Sequence, residues 1–408
     1  MSCVVYEEVD VADSEQEGGS LRVGSRVDDD YLTVTMLAAG LAGILRRRAR
    51  AGSEGNRSEG LLPDAWRIAF GRLWWRCQEQ GIQPLGNDLD LLVLCTQPFA
   101  AWPVRLSLST SDMQNCLLAG EELSGFAEQG ARVAVGDVEA EWTENRVYHA
   151  LRTTASVNGG GGGDKKVDQI YAVLRRRLID HPVLADLQVK RWAEEFKETD
   201  GSGQTYVQRM VEAAYVPRPA PGVQQYLRCP GCRNTVPRQG SVCGTPGCTG
   251  GPAETASVAA LAVVYEQHRA TRRFIHDPGL VEARILDGLA ARKDLAGRVR
   301  VTPYPALDTL DILIEFITTQ GDREVVTETW GADAKDHDSA RLLGWAFTWP
   351  QSLACDRRFL VLPEHRLAQP GYASDLIAEL EGRVSGVEVV GERRLVSMVA
   401  ARAQELNR

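Results

Sequence analysis

Apolar and polar positions change rhythm several times along the chain. The run YLTVTMLAAGLAGIL (Tyr31 to Leu45) predicts a buried amphipathic helix that ends in the basic cap Arg46–Arg50. PDAWRIAFGRLWWRCQEQG predicts a second amphipathic helix, with Pro63 near its start and Gly81 after its end. DLDLLVLC and ARVAVGDVEAEW read as strands. NGGGGGDKK (Asn158 to Lys166) is a flexible break. After it, VDQIYAVLRRRLIDHPVLADLQVKRWAEEF has helical periodicity interrupted at Pro182, two helices joined by a tight turn. VPRPAPG (Val216 to Gly222) reads as a linker.

From about residue 255 the expected order is helix (ASVAALAVVYEQHRATRRF), helix (GLVEARILDGLAARKD), strand (RVRVTPYP) and strand (LDILIEFIT). A TQGDR turn leads to strand EVVTETWGADAK, helix SARLLGWAFTW, strand RFLVLPE, helix ASDLIAELEGRV and strand VEVVGERRLVSMV. This alternation predicts an α/β layer around a mixed central sheet, in a chain that is α+β overall. The expected segments are a polar tail at 1–30, a mixed N-terminal region at 31–156, a helical unit at 167–215, a cysteine-bearing ribbon at 225–252 and the α/β unit at 255–408.

Composition narrows the classes. The chain has 408 residues, 44% of them hydrophobic, enough for two or three domains. A formal net charge of -9 excludes capture of nucleic acid by the whole surface, although a local basic face remains open. Arg175, Arg176, Arg177, Lys190 and Arg191 offer such a face on a winged-helix-like DNA-binding unit; a solvated helical linker is the alternative. The Tyr31–Leu45 run is too short to span a bilayer and lacks the flanks of a secretory signal, so the expectation is a cytoplasmic chain with no membrane partner.

Of nine cysteines, Cys3, Cys77, Cys95, Cys116 and Cys355 are scattered and read as reduced packing residues. The other four stand in CPGCRNTVPRQGSVCGTPGC, with Cys229 and Cys232 as one pair and Cys243 and Cys248 as the other. Each pair can form a knuckle, and four thiolates suit a closed, structural Zn²⁺ site. Pro230, Gly231, Gly244, Pro246 and Gly247 supply turn conformations. Two disulfides are the alternative, disfavoured by a reducing compartment.

Asp333-Ala334-Lys335 closes a strand, and residues two apart on a strand share a face. Asp311 opens the preceding strand, which a short turn makes the hairpin neighbour. Two carboxylates and a lysine at one sheet edge fit metal-assisted phosphodiester hydrolysis. Asp311 and Asp333 would hold Mg²⁺ or Mn²⁺, and Lys335 would orient water or offset transition-state charge. Glu282, on the preceding helix, could reach the metal through water; a solvated helical acid is the plainer reading. Asp308 rivals Asp311. The acid-x-Lys pattern also occurs at Asp164-Lys165-Lys166 and Glu195-Phe196-Lys197, where no acid-bearing strand precedes it. Arg341 is a candidate phosphate contact, Trp345 reads as core, and Asp338, next to His337, reads as a helix N-cap.

Asp311, the DILIEF strand and the terminal Asp333-Ala334-Lys335 resemble the PD-(D/E)XK restriction-endonuclease superfamily. In that family the middle residue, here Ala334, offers its carbonyl as a further metal ligand. The literal motif is departed from at Leu310, where proline is usual. A zinc ribbon leading into a nuclease core with TWGADAKDHDSARLLGWAF is similar to the endonuclease component of prokaryotic PIWI-RE conflict systems. That resemblance implies a metal-dependent DNA endonuclease in bacterial defence, partnered by a PIWI-family protein and a helicase. The alternatives are a catalytically silent DNA-binding or scaffold subunit, or a zinc-ribbon transcription factor.

Overall fold

The computed structural model describes residues 26–54, 62–134, 138–160, 164–236, 243, 245, 247–320, 323–350 and 352–406. Most of the expected tail, Cys3, residues 161–163 of the glycine run, Gly244 and Pro246 lie outside the described residues.

The first apolar run forms α1 (Arg26–Glu54) and buries Tyr31, Val34, Leu37, Ala38 and Leu41, a helical stripe. The helix continues through Arg46–Arg50 instead of ending there. α2 (Asp64–Glu79) buries Trp66, Ala69, Leu73 and Cys77 in the same core. DLDLLVLC, expected as a strand, is α3 (Asp88–Cys95). The Asn87 side chain accepts from the amides of Leu89 and Asp90 at 2.9 and 3.1 Å, and the buried residues Leu91 and Cys95 are four apart. A good cap and a helical burial period outweigh the apolar run's strand tendency. β1 (Leu118–Ala119) and β2 (Glu122–Leu123) make a small hairpin, followed by α4 (Gly125–Ala134) and α5 (Val138–Gly159). ARVAVGDVEAEW therefore contributes helices, not a strand, because Phe126, Ala127 and Ala131 pack in the core with α1. The expected mixed region is helical apart from the hairpin and loops, among the described residues.

α5 belongs to a second core with α6 (Asp164–Asp180), α7 (Asp186–Glu195) and α8 (Tyr206–Ala214). Pro182 separates α6 from β3 (Val183–Ala185). β4 (Tyr215–Pro219), β5 (Gly222–Arg228), β6 (Glu254–Ala260) and β7 (Val263–Gln267) follow, then the single turn α9 (Arg269–Thr271). β3, β7 and β4 form an antiparallel sheet with β7 in the middle. VPRPAPG is thus an edge strand in its first half and not a linker, since Pro217 and Pro219 are tolerable at an edge. ASVAALAVVYEQHRATRRF, expected as a helix, supplies β6 and β7. β6 pairs with β5 along its whole length, and its exposure alternates as a half-buried strand's does.

The remaining elements are α10 (Asp277–Ala290), β8 (Val299–Pro303), the short turn α11 (Pro305–Asp308), β9 (Ile312–Gln320), β10 (Arg323–Ala334) and α12 (Ala340–Ala346). β11 (Arg357–Leu362), α13 (Glu364–Leu367), α14 (Tyr372–Leu380), β12 (Val387–Gly391) and α15 (Glu392–Glu405) complete the chain. The sheet order is β12–β11–β10–β9–β8, antiparallel on one side of β10 and parallel on the other. This is the mixed central sheet that the alternation predicts. Val281, Ile285, Leu395 and Val399 of α10 and α15 cover one face, and α12 and α14 cover the other. VEVVGERRLVSMV is a strand only to Gly391; beyond it Leu395, Val399 and Ala403 are buried at helical spacing. Trp330 lies fully buried between Phe316 and Phe359 and fixes the sheet's centre.

Candidate functional site

Ala332 pairs with Ile312, so the next residues, Asp333 and Asp311, meet where β9 begins and β10 ends. The Ala334 amide donates to Asp311 Oδ2 at 2.6 Å, and the Lys335 amide donates to the Val361 carbonyl at 2.9 Å. Lys335 Nζ contacts Asp333 Oδ1 and lies 3.6 Å from Asp311 Oδ2. The three side chains that the sequence singled out therefore adjoin one another. The acids are 7% and 9% exposed, so this is not the exposed ion pair of a strand end. They line a cleft of about 570 Å³.

The charges in this cleft act on one another. Burial pushes the Asp333 carboxyl up to about 8, helped by the neighbouring Asp311 carboxylate and opposed by Lys335. Burial also pushes Asp311 up, but Lys335, the hydrogen bond with Asp333 and Arg175 outweigh it and hold Asp311 below its usual range. Near neutral pH the pair thus shares one proton. Lys335 stays charged: burial opposes its charge, and Asp311 and Asp333 more than restore it.

Glu282 on α10 is turned to a different partner. Arg175 donates to both of its oxygens, Nη2 to Oε1 at 2.7 Å and Nε to Oε2 at 3.1 Å. Arg175 Nη1 also reaches Asp308 Oδ2 at 3.0 Å, where the Tyr171 hydroxyl donates at 2.8 Å. Asp308 is therefore not interchangeable with Asp311. It ends a left-handed turn in which Tyr304, Ala306, Leu307 and Asp308 have φ of 50°, 51°, 55° and 74°. Such residues are strained, and the Asp168 carboxylate holds the turn by accepting from the amides of Ala306 and Leu307 at 3.0 Å each.

The expected basic face dissolves in the same contacts. Arg175 is 3% exposed, Arg176 pairs with Asp180 and Asp287, and Arg177 pairs with Glu195. Lys190 and Arg191 remain exposed on α7. Arg175 could have been picked out in the sequence, since it falls four residues after Tyr171 and three before Leu178, on the buried stripe of α6. It was masked by the two arginines that follow it.

The loop after Lys335 fastens the helical N-terminal region beside the cleft. Arg273 joins Glu128 of α4 at 2.6 Å to Asp338 at 3.3 Å, and Arg366 holds Asp336 at 2.7 Å and also Asp338. The helix cap is not Asp338 but Ser339, whose Oγ accepts from the Leu342 amide at 3.2 Å and donates to Asp112 at 2.8 Å. Ion pairing with two arginines outcompetes capping for Asp338. Burial pushes the His337 imidazole down to about 4. Arg341 pairs with Glu379 at 3.1 Å and stacks over Tyr31, and Trp345 packs edge-on to Tyr31 and donates to Glu379. Nothing in the sequence marks Arg273 or Arg366, whose partners are distant along the chain.

At the tip of the β5–β6 hairpin the four cysteines converge. Their Sγ atoms all lie within 4.8 Å of one another, a set that can hold a metal ion. The pairs Cys229–Cys248 and Cys232–Cys243 approach to 3.4 and 3.2 Å without a disulfide. The cluster is tied to α10, because Asn234 Nδ2 donates to Asp277 Oδ1 at 2.7 Å and the His276 ring meets the Cys232 carbonyl at 3.1 Å. Gly247, at φ +64°, lies so close to His365 that a Cβ would fall 2.1 Å from its ring atoms. His365 is in turn 3.4 Å from Asp336, the neighbour of Lys335.

Residues 279–407 match the family model described as REase associating with pPIWI_RE. This supports the resemblance to the restriction-endonuclease-like component of PIWI-RE systems and gives this segment a nuclease-like character. The match contains Glu282, Asp308, Asp311, Asp333 and Lys335, and leaves out Arg175 and the four clustered cysteines. No curated protein and no solved structure matches the chain. No helix among the described residues is long and apolar enough to cross a membrane.

Proposed function

We propose that the chain is a metal-dependent endonuclease that hydrolyses DNA phosphodiester bonds, in bacterial defence alongside a PIWI-family protein and a helicase. The observation that carries this reading is the meeting of Asp311, Asp333 and Lys335 at one sheet edge, inside the segment that matches the endonuclease family. The donor set fits Mg²⁺ or Mn²⁺: two adjoining carboxylates are hard oxygen ligands, and the Ala334 carbonyl is the family's third. Bound there, such an ion polarises the phosphate and lowers the pKa of water.

The chain's own groups do the rest. The Ala334 amide clamps Asp311 and keeps its carboxylate beside Asp333. Lys335, a fixed positive charge facing the cleft, orients the attacking water and offsets charge on the pentavalent phosphate. The four cysteines hold a structural Zn²⁺, since their thiolates leave no open position for chemistry. The order α6, β3, α7, α8, β4, β7, with β7 between β3 and β4, supports the winged-helix-like reading and extends it past residue 215. DNA contact then falls to Lys190, Arg191 and the cleft, not to Arg175–Arg177.

A second reading, a silent DNA-binding subunit, draws on Arg175, which engages both carboxylate oxygens of Glu282. One experiment separates the two. The purified chain and its Lys335→Ala variant are incubated with Mg²⁺ or Mn²⁺ and with duplex, single-stranded or RNA-paired DNA. Cleavage by the wild type that the variant loses supports the endonuclease. DNA bound and left intact by both, with and without the PIWI partner, overturns it.

A further inference from the structure

We propose that Arg175 is a fixed cation of the candidate nuclease centre. Its guanidinium, held by Glu282 and Asp308, occupies the place of a second divalent ion, so that the cleft takes one such ion on Asp311 and Asp333. The inference rests on the nuclease reading above and goes beyond it in saying how many ions the centre uses, and why.

The first support is geometric. The guanidinium faces three carboxylate oxygens at 2.7, 3.0 and 3.1 Å, contributed by α10 and by the turn α11. Binding one centre between carboxylates of two elements is what a second metal does in a two-ion phosphodiesterase. Arginine's planar fork can do the same with hydrogen bonds, and its charge is not lost on burial. Arg175, Glu282 and Asp308 have side chains 3%, 2% and 9% exposed, so no solvent competes for the contact.

Charge balance gives the second support. Glu282, Asp308, Asp311 and Asp333 line the cleft with Arg175 and Lys335 and interact with one another, while Arg273 and Arg366 pair with Glu128, Asp336 and Asp338 of the same lining. Among these six groups, four carboxylates against two cationic side chains leave a formal excess of two negative charges, which one divalent ion cancels once it has displaced the proton that Asp311 and Asp333 share. Without Arg175 the excess would be three, more than one divalent ion cancels, and the buried acids would be left uncompensated at a large cost. The third support is Asp308 Oδ1, which is buried with no hydrogen-bond partner while Oδ2 is held by Arg175 and Tyr171. An unsatisfied carboxylate oxygen inside the cleft is a ready ligand once the guanidinium leaves.

The chain also invests backbone strain in this arrangement. The left-handed turn that aims Asp308 is kept in place by Asp168 and Tyr171, both on the same helix as Arg175. α6 thus supplies the cation, the clamp on the turn and the hydroxyl that orients the acid. All three come from outside the segment that matches the endonuclease family, whereas both acids lie inside it. Arg175 is accordingly a positioning residue that keeps the second acid pair ordered before any ion arrives.

The test counts ions on the full-length, zinc-loaded chain. Mn²⁺ binding is measured by calorimetry and by electron paramagnetic resonance, with zinc determined separately. Wild type should bind one Mn²⁺, and Asp333→Asn should weaken it at least tenfold. Loss of this Asp333 dependence would sink the nuclease reading itself. Arg175→Met should bind two Mn²⁺, with spin coupling between them, while Arg175→Lys, which keeps the charge, should bind one. Two ions in the wild type, or one uncoupled ion in folded Arg175→Met, overturns the inference and leaves the nuclease reading standing. Should Arg175→Met fail to fold in metal-free buffer, millimolar Mn²⁺ should restore its circular dichroism, the ion standing in for the guanidinium. A variant that stays unfolded at every Mn²⁺ concentration also overturns it.

Discussion

The amide of Ala334 donates to Asp311 Oδ2 at 2.6 Å, so the backbone between Asp333 and Lys335 is also what holds the third member of the group. A change in any one of the three is felt by the others. Asp311→Asn and Asp333→Asn should each abolish metal-dependent cleavage, because capture of the ion on two carboxylates fails with one. Lys335→Ala should retain DNA binding and lower kcat by roughly 10²-fold or more, the scale of losing one transition-state stabiliser. Single-turnover rates with each variant check this. Full cleavage by Asp333→Asn would remove the acid pair from the mechanism.

The shared proton predicts a pH dependence. The folded Asp333 carboxyl titrates at about 8, far above its value of 3.8 in an unfolded chain. Between these values the folded state holds a proton that the unfolded state has released. Stability of the metal-free protein should therefore fall as pH rises from about 4 to about 8. A divalent ion displaces that proton, so affinity for Mn²⁺ should rise through pH 8 and the thermal shift it produces should grow. Melting curves at pH 6 and pH 8.5, with and without Mn²⁺, read both effects. Asp333→Asn should flatten both profiles; an unchanged profile in that variant would assign the proton to another group.

Elemental analysis of the folded chain should find about one zinc, since four thiolates close one tetrahedral site. Replacing Cys232 and Cys243 by serine should release it. The Asn234–Asp277 contact carries the damage to α10, so Glu282 and Arg175 should become more exposed. Hydrogen exchange across residues 277–290 should rise in the double variant. Zinc-free, well-folded protein, or these thiols recovered as disulfides, would contradict the assignment.

Gly125 opens α4 where the Asp338 carboxylate and the Arg273 guanidinium fill the space of a side chain. Gly125→Ala must push that ion pair aside and should cost about 1–3 kcal/mol, the usual scale of overpacking. Its effect should reach the cleft, because Asp338 belongs to the loop that follows Lys335. Calorimetric melting together with the cleavage rate checks this. A Gly125→Ala protein with wild-type Tm would mean that α4 yields freely.

The legible parts of this protein were those encoded by local period and local spacing. Alternation in LDILIEFIT and EVVTETWGADAK, joined by a short turn, determined a hairpin and with it the meeting of Asp311 and Asp333. Cysteine pairs at knuckle spacing determined a four-thiol cluster that can hold a metal ion. Apolar runs without a clear period were not legible. DLDLLVLC is a helix because Asn87 caps it and Leu91 and Cys95 find a core, and ASVAALAVVYEQ is two strands because β5, β3 and β4 offer edges to pair with. In both, partners remote in sequence supply the free energy that settles the backbone. Charge is the starkest case. Arg175 and Arg176 are neighbours in one triplet, yet tertiary packing sends Arg175 into a buried acid pair and leaves Arg176 at the surface. A sequence fixes which groups are charged, but only the folded chain decides how much water and which counter-charge each one keeps, and those two quantities set what the group can do.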